Sequence, residues 1–184
     1  HIDIMDGHFV PNISFGPNML KAIRPMTKKI LDVHLMINPV KPFINEFIKS
    51  GADIISFHPE ADKNAEELID IIKHSNCKAG IAIHPKVEIS EITKYLPMID
   101  MVIVMTVIPG FGGQKFLNNQ LYKIEKLKEI KENKNYNFEI EIDGGINKNT
   151  YKECLRLGAD VLVAGSYIFS KPSDHYKTLI DSIR

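Results

Sequence analysis

The first six residues, His1-Ile2-Asp3-Ile4-Met5-Asp6, alternate polar and apolar and run into Gly7, the pattern of a half-buried strand that ends in a turn. Farther along, continuous apolar runs replace the alternation. Lys29 to Val33, Asp53 to Phe57, Ala79 to Ile83, Met101 to Met105, Phe138 to Ile142 and Val161 to Ala164 read as short strands that are apolar on both faces. Between them the spacing is helical. Ser14 and Gly16 precede a proline-started helix from Pro17 to about Ile23, and Pro39 to Ser50 carries Val40, Phe43, Ile44, Phe47 and Ile48 on one face and closes at Gly51. A helix bearing Leu68, Ile69, Ile71 and Ile72 follows, then a short one from about Ser90 to Tyr95 and a lysine-rich one from Leu117 to about Lys131. The last two run from Asn147 to Leu157, closed by Gly158, and from Pro172 to Ile183. Strands alternating with helices imply one domain over residues 1–184, a parallel sheet covered by helices.

The strand ends separate an open doubly wound sheet from a closed barrel. Nearly every strand finishes at residues able to do chemistry: His1 and Asp3, His34, His58, His84, Asp143, and Gly165-Ser166. An open sheet concentrates such residues at one switch point, whereas a barrel converges all its strand ends on one mouth. The pattern therefore predicts an α/β fold of the barrel kind. A barrel of this class needs eight strands and the chain opens inside one, so a βα unit and the start of the second strand, roughly 30 or more residues, are expected ahead of His1.

Charge and cysteine content narrow the partners. Lys and Arg number 23 and Asp and Glu 23, which gives no electrostatic footprint for nucleic acid, and no apolar run is long enough to span a membrane. Cys77 and Cys154 have no partner motif, which points to a reducing compartment, the cytoplasm, unless an upstream targeting peptide directs the chain to an organelle.

Three consecutive loops carry glycines: Pro109-Gly110-Phe111-Gly112-Gly113-Gln114, Asp143-Gly144-Gly145, and Ala164-Gly165-Ser166. Loops after the late strands of a barrel are a recurrent phosphate cradle built from backbone N–H groups, which glycine lets approach the anion. The only arginines, Arg24, Arg156 and Arg184, lie outside these loops, so amides must do most of the holding. In a strand, side chains two apart share a face, so His1 and Asp3 stand side by side. Taken alone they also fit two polar residues on a solvent-facing edge strand. With His34 and Asp143 at the same mouth they make two imidazoles and two carboxylates, a ligand set for one divalent metal ion. Asp3 and Asp143 come from strands far apart in order and can address a substrate from opposite sides, as inversion of a carbon centre requires. His74 and His175 fall on helices and read as solvated; His58 and His84 precede prolines and read as shaping the mouth.

The segments His1 to Asn12 (HIDIMDGHFVPN), Asp32 to Met36 (DVHLM), Phe57 to Ala61 (FHPEA), Pro109 to Phe116 (PGFGGQKF) and Glu141 to Gly145 (EIDGG) together resemble the ribulose-phosphate 3-epimerase family, along the whole chain. The resemblance implies a (β/α)8 TIM barrel of the ribulose-phosphate-binding type that interconverts D-ribulose 5-phosphate and D-xylulose 5-phosphate in the pentose phosphate pathway. It implies that His1, Asp3, His34 and Asp143 bind zinc, iron, manganese or cobalt, with Asp3 and Asp143 also acting as the acid–base pair around an enediolate. Met5, Met36 and Met105 resemble the family's methionines around the intermediate. Gly110, Phe111, Gly112, Gly113, Gly144, Gly145, Gly165 and Ser166 resemble its substrate and phosphate contacts, and a homo-oligomer is expected. Three departures accompany the match. Ile108 stands where Asn or Glu is usual and His84 where Asn or Lys is usual, and the family's first strand, with its Pro-Ser-(Ile/Leu)-Leu motif, is absent. The same machinery would serve a ketohexose 6-phosphate such as allulose 6-phosphate, and the absent strand leaves a non-catalytic phosphate-binding remnant as the competing reading.

Overall fold

A computed structural model describes all residues, His1 to Arg184. Seven strands form one sheet in sequence order, β1 (Ile2–Met5), β2 (Asp32–Met36), β3 (Ile54–Phe57), β4 (Lys78–Ile83), β5 (Met101–Met105), β6 (Glu139–Asp143) and β7 (Val161–Val163). Every neighbouring pair is parallel. The connections carry α1 (Pro17–Ile23), α2 (Lys41–Lys49), α3 (Ala65–His74), α4 (Ile89–Ile92), α5 (Leu121–Lys134) and α6 (Tyr151–Leu157), and the chain finishes with α7 (Ser166–Phe169) and α8 (Tyr176–Asp181). The first and sixth strands are far apart in the ladder, yet His1 Nε2 comes to 3.9 Å from Asp143 Oδ2. Only a rolled sheet brings them that close, so the seven parallel strands form a curled barrel wall. No ladder joins β7 back to β1. A groove lined by Asp32, Ile54, Met101, Glu139 and Val161 at the starts of their strands, and by Phe169 of α7, opens at the amino ends of the strands.

The strand period of two sorts the side chains into two layers. Val33, Leu35, Val102, Val104, Ile140 and Ile142 point outward and join one large apolar cluster with Leu20, Ile44, Phe47, Leu68, Ile69 and Ile72 of the helices. The alternate residues of β5, Met101, Ile103 and Met105, face inward and form a separate six-residue cluster with Ile54, Ala82 and Val107. His1, Asp3 and Met5 share that inward phase, as do Asp32, His34 and Met36 on β2 and Glu139, Glu141 and Asp143 on β6; the register places Asp3 beside His34 and Met105 beside Asp143. Close packing in this interior needs small residues: a Cβ on Gly80 would stand 2.1 Å from Ser56 Oγ.

Several boundaries depart from the periodicity. The second strand is Asp32–Met36 and not Lys29 to Val33. Arg24 accounts for the shift, because its guanidinium donates to the carbonyls of Thr27 and Lys29 at 2.7 and 2.8 Å and holds that stretch as a loop, while the Asp53 carboxylate takes the Leu31 N–H at 2.7 Å. His34 therefore lies within the strand. Ser14 does not cap α1, whose N-cap is Gly16 with no side-chain hydrogen bond. Its hydroxyl instead accepts from Met5 N–H at 2.9 Å and donates to the Asp3 carbonyl at 2.5 Å, splinting β1. The helix from Asn147 starts at Tyr151, and the turn ahead of it is held by Thr150 Oγ1, which accepts from Asn147 N–H at 3.0 Å.

Candidate active site

All four candidate ligands meet at one end of the barrel. The ligand atoms of His1, Asp3, His34 and Asp143 all lie within 4.8 Å of one another. Asp3 Oδ1 is 3.4 Å from His1 Nε2 and 3.2 Å from His34 Nδ1, and Asp143 Oδ2 is 3.9 and 3.7 Å from the same two nitrogens. Each carboxylate thus faces both imidazoles. His34 has a wholly buried side chain and that of His1 is 11% exposed. Burial disfavours a charged imidazole, but the carboxylates outweigh it. Hydrogen bonds to Asp3, Asp32 and Glu141 hold His1 well above its ordinary value, and those to Asp143 and Asp3 lift His34 to about 9. Burial likewise opposes ionisation of Asp3, yet the two imidazoles hold its carboxyl below the usual range.

These shifts test whether the cluster fits a metal. In the chain as it stands, protons on His1 and His34 supply the positive charge that the two carboxylates demand. A divalent cation at the centre would replace those protons and meet two nitrogens and two oxygens, a donor set suited to zinc, iron, manganese or cobalt. The residues fit.

Above the cluster opens a cleft with about 590 Å³ of free space, lined by Asp3, Met5, Met36, Met105, Val107, Pro109 to Gln114, Asp143 to Ile146, Val163, Gly165 and Ser166. Every methionine, glycine and serine that the family resemblance marks as a substrate contact lies on this wall. His1 and His34 do not line it; they sit beneath, behind Asp3 and Asp143. The loops are tied at the mouth by specific bonds. Asp6 carboxylate oxygens accept from the N–H groups of His8, Phe9 and Asn38 at 2.8 Å, Asn12 Nδ2 donates to the Gly110 carbonyl at 2.8 Å, and Thr106 Oγ1 donates to that of Gly144 at 2.6 Å. Gly144 and Gly145 adopt φ of 124° and 67°, and a Cβ there would stand 2.5 Å from Val107 Cγ2 and 2.9 Å from the Phe116 backbone. Gly112, Gly113 and Gly165 are different: nothing lies within 4 Å of where their Cβ would be, and none of their N–H groups donates to another backbone group, so these amides are available to a ligand.

The pattern of the sequence passed over a further tier. His1 Nδ1 lies 2.5 Å from Asp32 Oδ2 and 3.1 Å from Glu141 Oε1, and both carboxylates are buried. Burial pushes the Glu141 carboxyl up to about 7, the adjacent Asp32 charge adding to it against the pull of His1. His58 touches His34 and does more than shape the mouth; burial lowers it to about 4 despite Glu60 beside it. The one available signal was the inward phase that Asp32 and Glu141 share with His34 and Asp143. His74 and His175 are exposed, as their helical setting predicts, although His175 sits in a 3-10 turn ahead of α8.

Comparison with known proteins agrees with the fold and shows the family. Solved structures with the same fold include 3-hexulose-6-phosphate synthase from Salmonella typhimurium (TM-score 0.67, 19% identity, 91% of this chain and 79% of that one) and KGPDC from Streptococcus mutans (0.68, 18%, 96% and 86%). At these identities the likeness concerns the TIM-barrel fold alone. Sequence relatives are much nearer. Ribulose-phosphate 3-epimerase of Bacillus subtilis is 44% identical over 180 residues, 97% of this chain and 82% of the relative, and that of Escherichia coli K12 is 39% identical over 186 residues, 100% and 81%. Residues 1–169 match the Ribulose-phosphate 3 epimerase family. With Asp3 and Asp143 set under a glycine-lined cleft and matches this extensive, the chain belongs to the ribulose-phosphate 3-epimerase family and is an epimerase of it.

Proposed function

We propose that the chain interconverts D-ribulose 5-phosphate and D-xylulose 5-phosphate by moving the proton on carbon 3, with one divalent metal ion held by His1, Asp3, His34 and Asp143. The observation that carries this reading is the pair of carboxylates from β1 and β6 converging under a cleft whose opposite wall is open glycine amide. The phosphate would rest on the amides of Gly112, Gly113 and Gly165 and against Ser166, none of which needs a cationic side chain. With the phosphate anchored there, the sugar extends toward Met5, Met36 and Met105, whose polarisable thioethers line the reacting end without offering a proton. Asp3 and Asp143 then address carbon 3, one taking its proton and the other returning a proton to the opposite face. When bound, the metal supplies Lewis-acid stabilisation of the negative charge that develops as the C–H bond breaks.

Solvent deuterium entry at carbon 3, read by NMR, tests the assignment. Asp143→Asn and Asp3→Asn should each abolish interconversion of the two epimers while leaving the far-ultraviolet circular dichroism unchanged, any residual exchange being confined to one epimer; wild-type epimerisation in either variant rules out the assigned role. Side-by-side turnover of ribulose 5-phosphate and allulose 6-phosphate, with the pentulose expected to lead, fixes the substrate. Two further parts of the reading have support of their own. Cys77 and Cys154 are buried and free, in keeping with a reducing cytoplasm, and no helix is long and apolar enough to cross a membrane. Phe15 and Phe43 leave apolar surface on a shared groove, in keeping with a homo-oligomer, which analytical ultracentrifugation would register.

A further inference from the structure

The side of His34 turned away from the cleft meets an imidazole that the mechanism above does not use. His34 Nε2 and His58 Nε2 lie 3.0 Å apart, and both side chains are wholly buried. Two ring nitrogens at that separation share one proton, so one donates and the other accepts. The far nitrogen of His58, Nδ1, is buried without a hydrogen-bond partner and faces Glu60 Oε1 at 3.5 Å. A buried polar atom left unpaired is costly. Glu60 can relieve it by a small rotation, because its side chain is 36% exposed at the rim and belongs to the 3-10 turn Pro59–Ala61 that follows His58 directly. The His58 ring itself has little freedom, since the Phe9 ring packs on it with centroids 5.1 Å apart.

We propose that Glu60, acting through His58, is a positioning residue that sets which nitrogen of His34 carries the proton. Glu60 accepts from His58 Nδ1–H, His58 Nε2 then accepts from His34 Nε2–H, and His34 Nδ1 is the nitrogen that can give up its proton and offer a lone pair to a cation between Asp3 and Asp143. The inference rests on the metal reading of that cluster. The reverse arrangement, with His58 Nε2–H donating to His34 Nε2, would leave the His34 proton on Nδ1 and close that nitrogen to a cation. A carboxylate at the outer end decides between the two because it accepts and never donates. His1 is backed in a single step by Asp32, whereas His34 needs the intervening imidazole because no carboxylate hydrogen-bonds its Nε2.

The test is a Co2+ titration, followed by visible absorption, of the full chain, Glu60→Ala, Glu60→Gln and the control Glu66→Ala, combined with 15N NMR of the imidazoles. Glu60→Ala should weaken Co2+ binding about ten- to a hundredfold. Glu60→Gln, which keeps a carbonyl acceptor, should recover part of the loss, and Glu66→Ala should match the wild type. In the metal-free chain above about pH 9, where His34 is neutral, the His58 proton should sit on Nδ1 in the wild type and lose that preference in Glu60→Ala. Unchanged Co2+ affinity in Glu60→Ala, or a wild-type His58 protonated on Nε2, overturns the proposal. If the wild type takes up no Co2+, the metal reading falls and the relay is judged by the 15N pattern alone: Nδ1–H in the wild type and its loss in Glu60→Ala sustain it, any other pattern rejects it.

Discussion

At the scale of single residues the site is a contest between protons and a cation for the same nitrogens. His1 and His34 are both shifted upward by their carboxylate partners, so metal uptake must expel protons from them. Apparent metal affinity should therefore climb as pH rises toward about 9, where His34 deprotonates unaided, with a steepness of up to tenfold per pH unit for each proton released. Stability of the metal-free chain should move the other way. His34 titrates near 6.5 when unfolded and about 9 when folded, so its contribution is full below about 6.5 and is lost as pH rises to about 9. Thermal melts across that window should show a falling midpoint without metal and a flatter one with metal; a rising metal-free midpoint would contradict the assigned ion pairs. Sequence showed the inner ligands because histidine and aspartate at strand ends are conspicuous. It hid Asp32 and Glu141, since a carboxylate in a strand reads as solvent-facing until the rolled sheet puts it inside, and it hid the role of His58, whose contact to His34 exists only through the pairing of β2 with β3.

At the scale of elements, the strands and helices were legible where apolar period and glycine closure coincide, as in α2 before Gly51 and α6 before Gly158. Legibility failed where a side chain far away in sequence seized the backbone. Arg24 drew Thr27 and Lys29 into a loop and displaced β2, and no local pattern announces such a bond. The short helix α7 also escaped notice, because four residues carry no period. Two substitutions probe these elements. Phe47 is 1% exposed and fills the space between α2 and the sheet, so Phe47→Ala should lower unfolding free energy by about 3–5 kcal/mol in a denaturant titration. Gly144→Ala places a methyl 2.5 Å from Val107 Cγ2 on a backbone with φ of 124°, and should both destabilise the loop and raise KM for the sugar phosphate. A variant with unchanged KM would separate this loop from phosphate binding.

At the scale of the whole molecule, stability is spread unevenly around the barrel wall. β3, β4 and β5 are flanked by strands on both sides and almost wholly buried, whereas β7, α7 and α8 bury no residue fully and no ladder joins β7 to β1. Amide hydrogen exchange should therefore be slowest along β3 to β5 and fastest at β7, α7 and α8, with β1 between because Ser14 and His1 pin it from two directions. Protection at β7 equal to that at β4 would contradict this gradient. The inward phase common to β1, β2 and β6 has a consequence for how such a chain can vary in length. Side-chain facing alternates with odd and even position, so inserting or deleting one residue within β1 would turn His1 and Asp3 toward the helix layer and bring Ile2 and Ile4 into the cleft. A two-residue change keeps the parity and merely slides the ligands by one rung. Viable length changes in these strands should come in pairs, and single-residue changes should be confined to the loops.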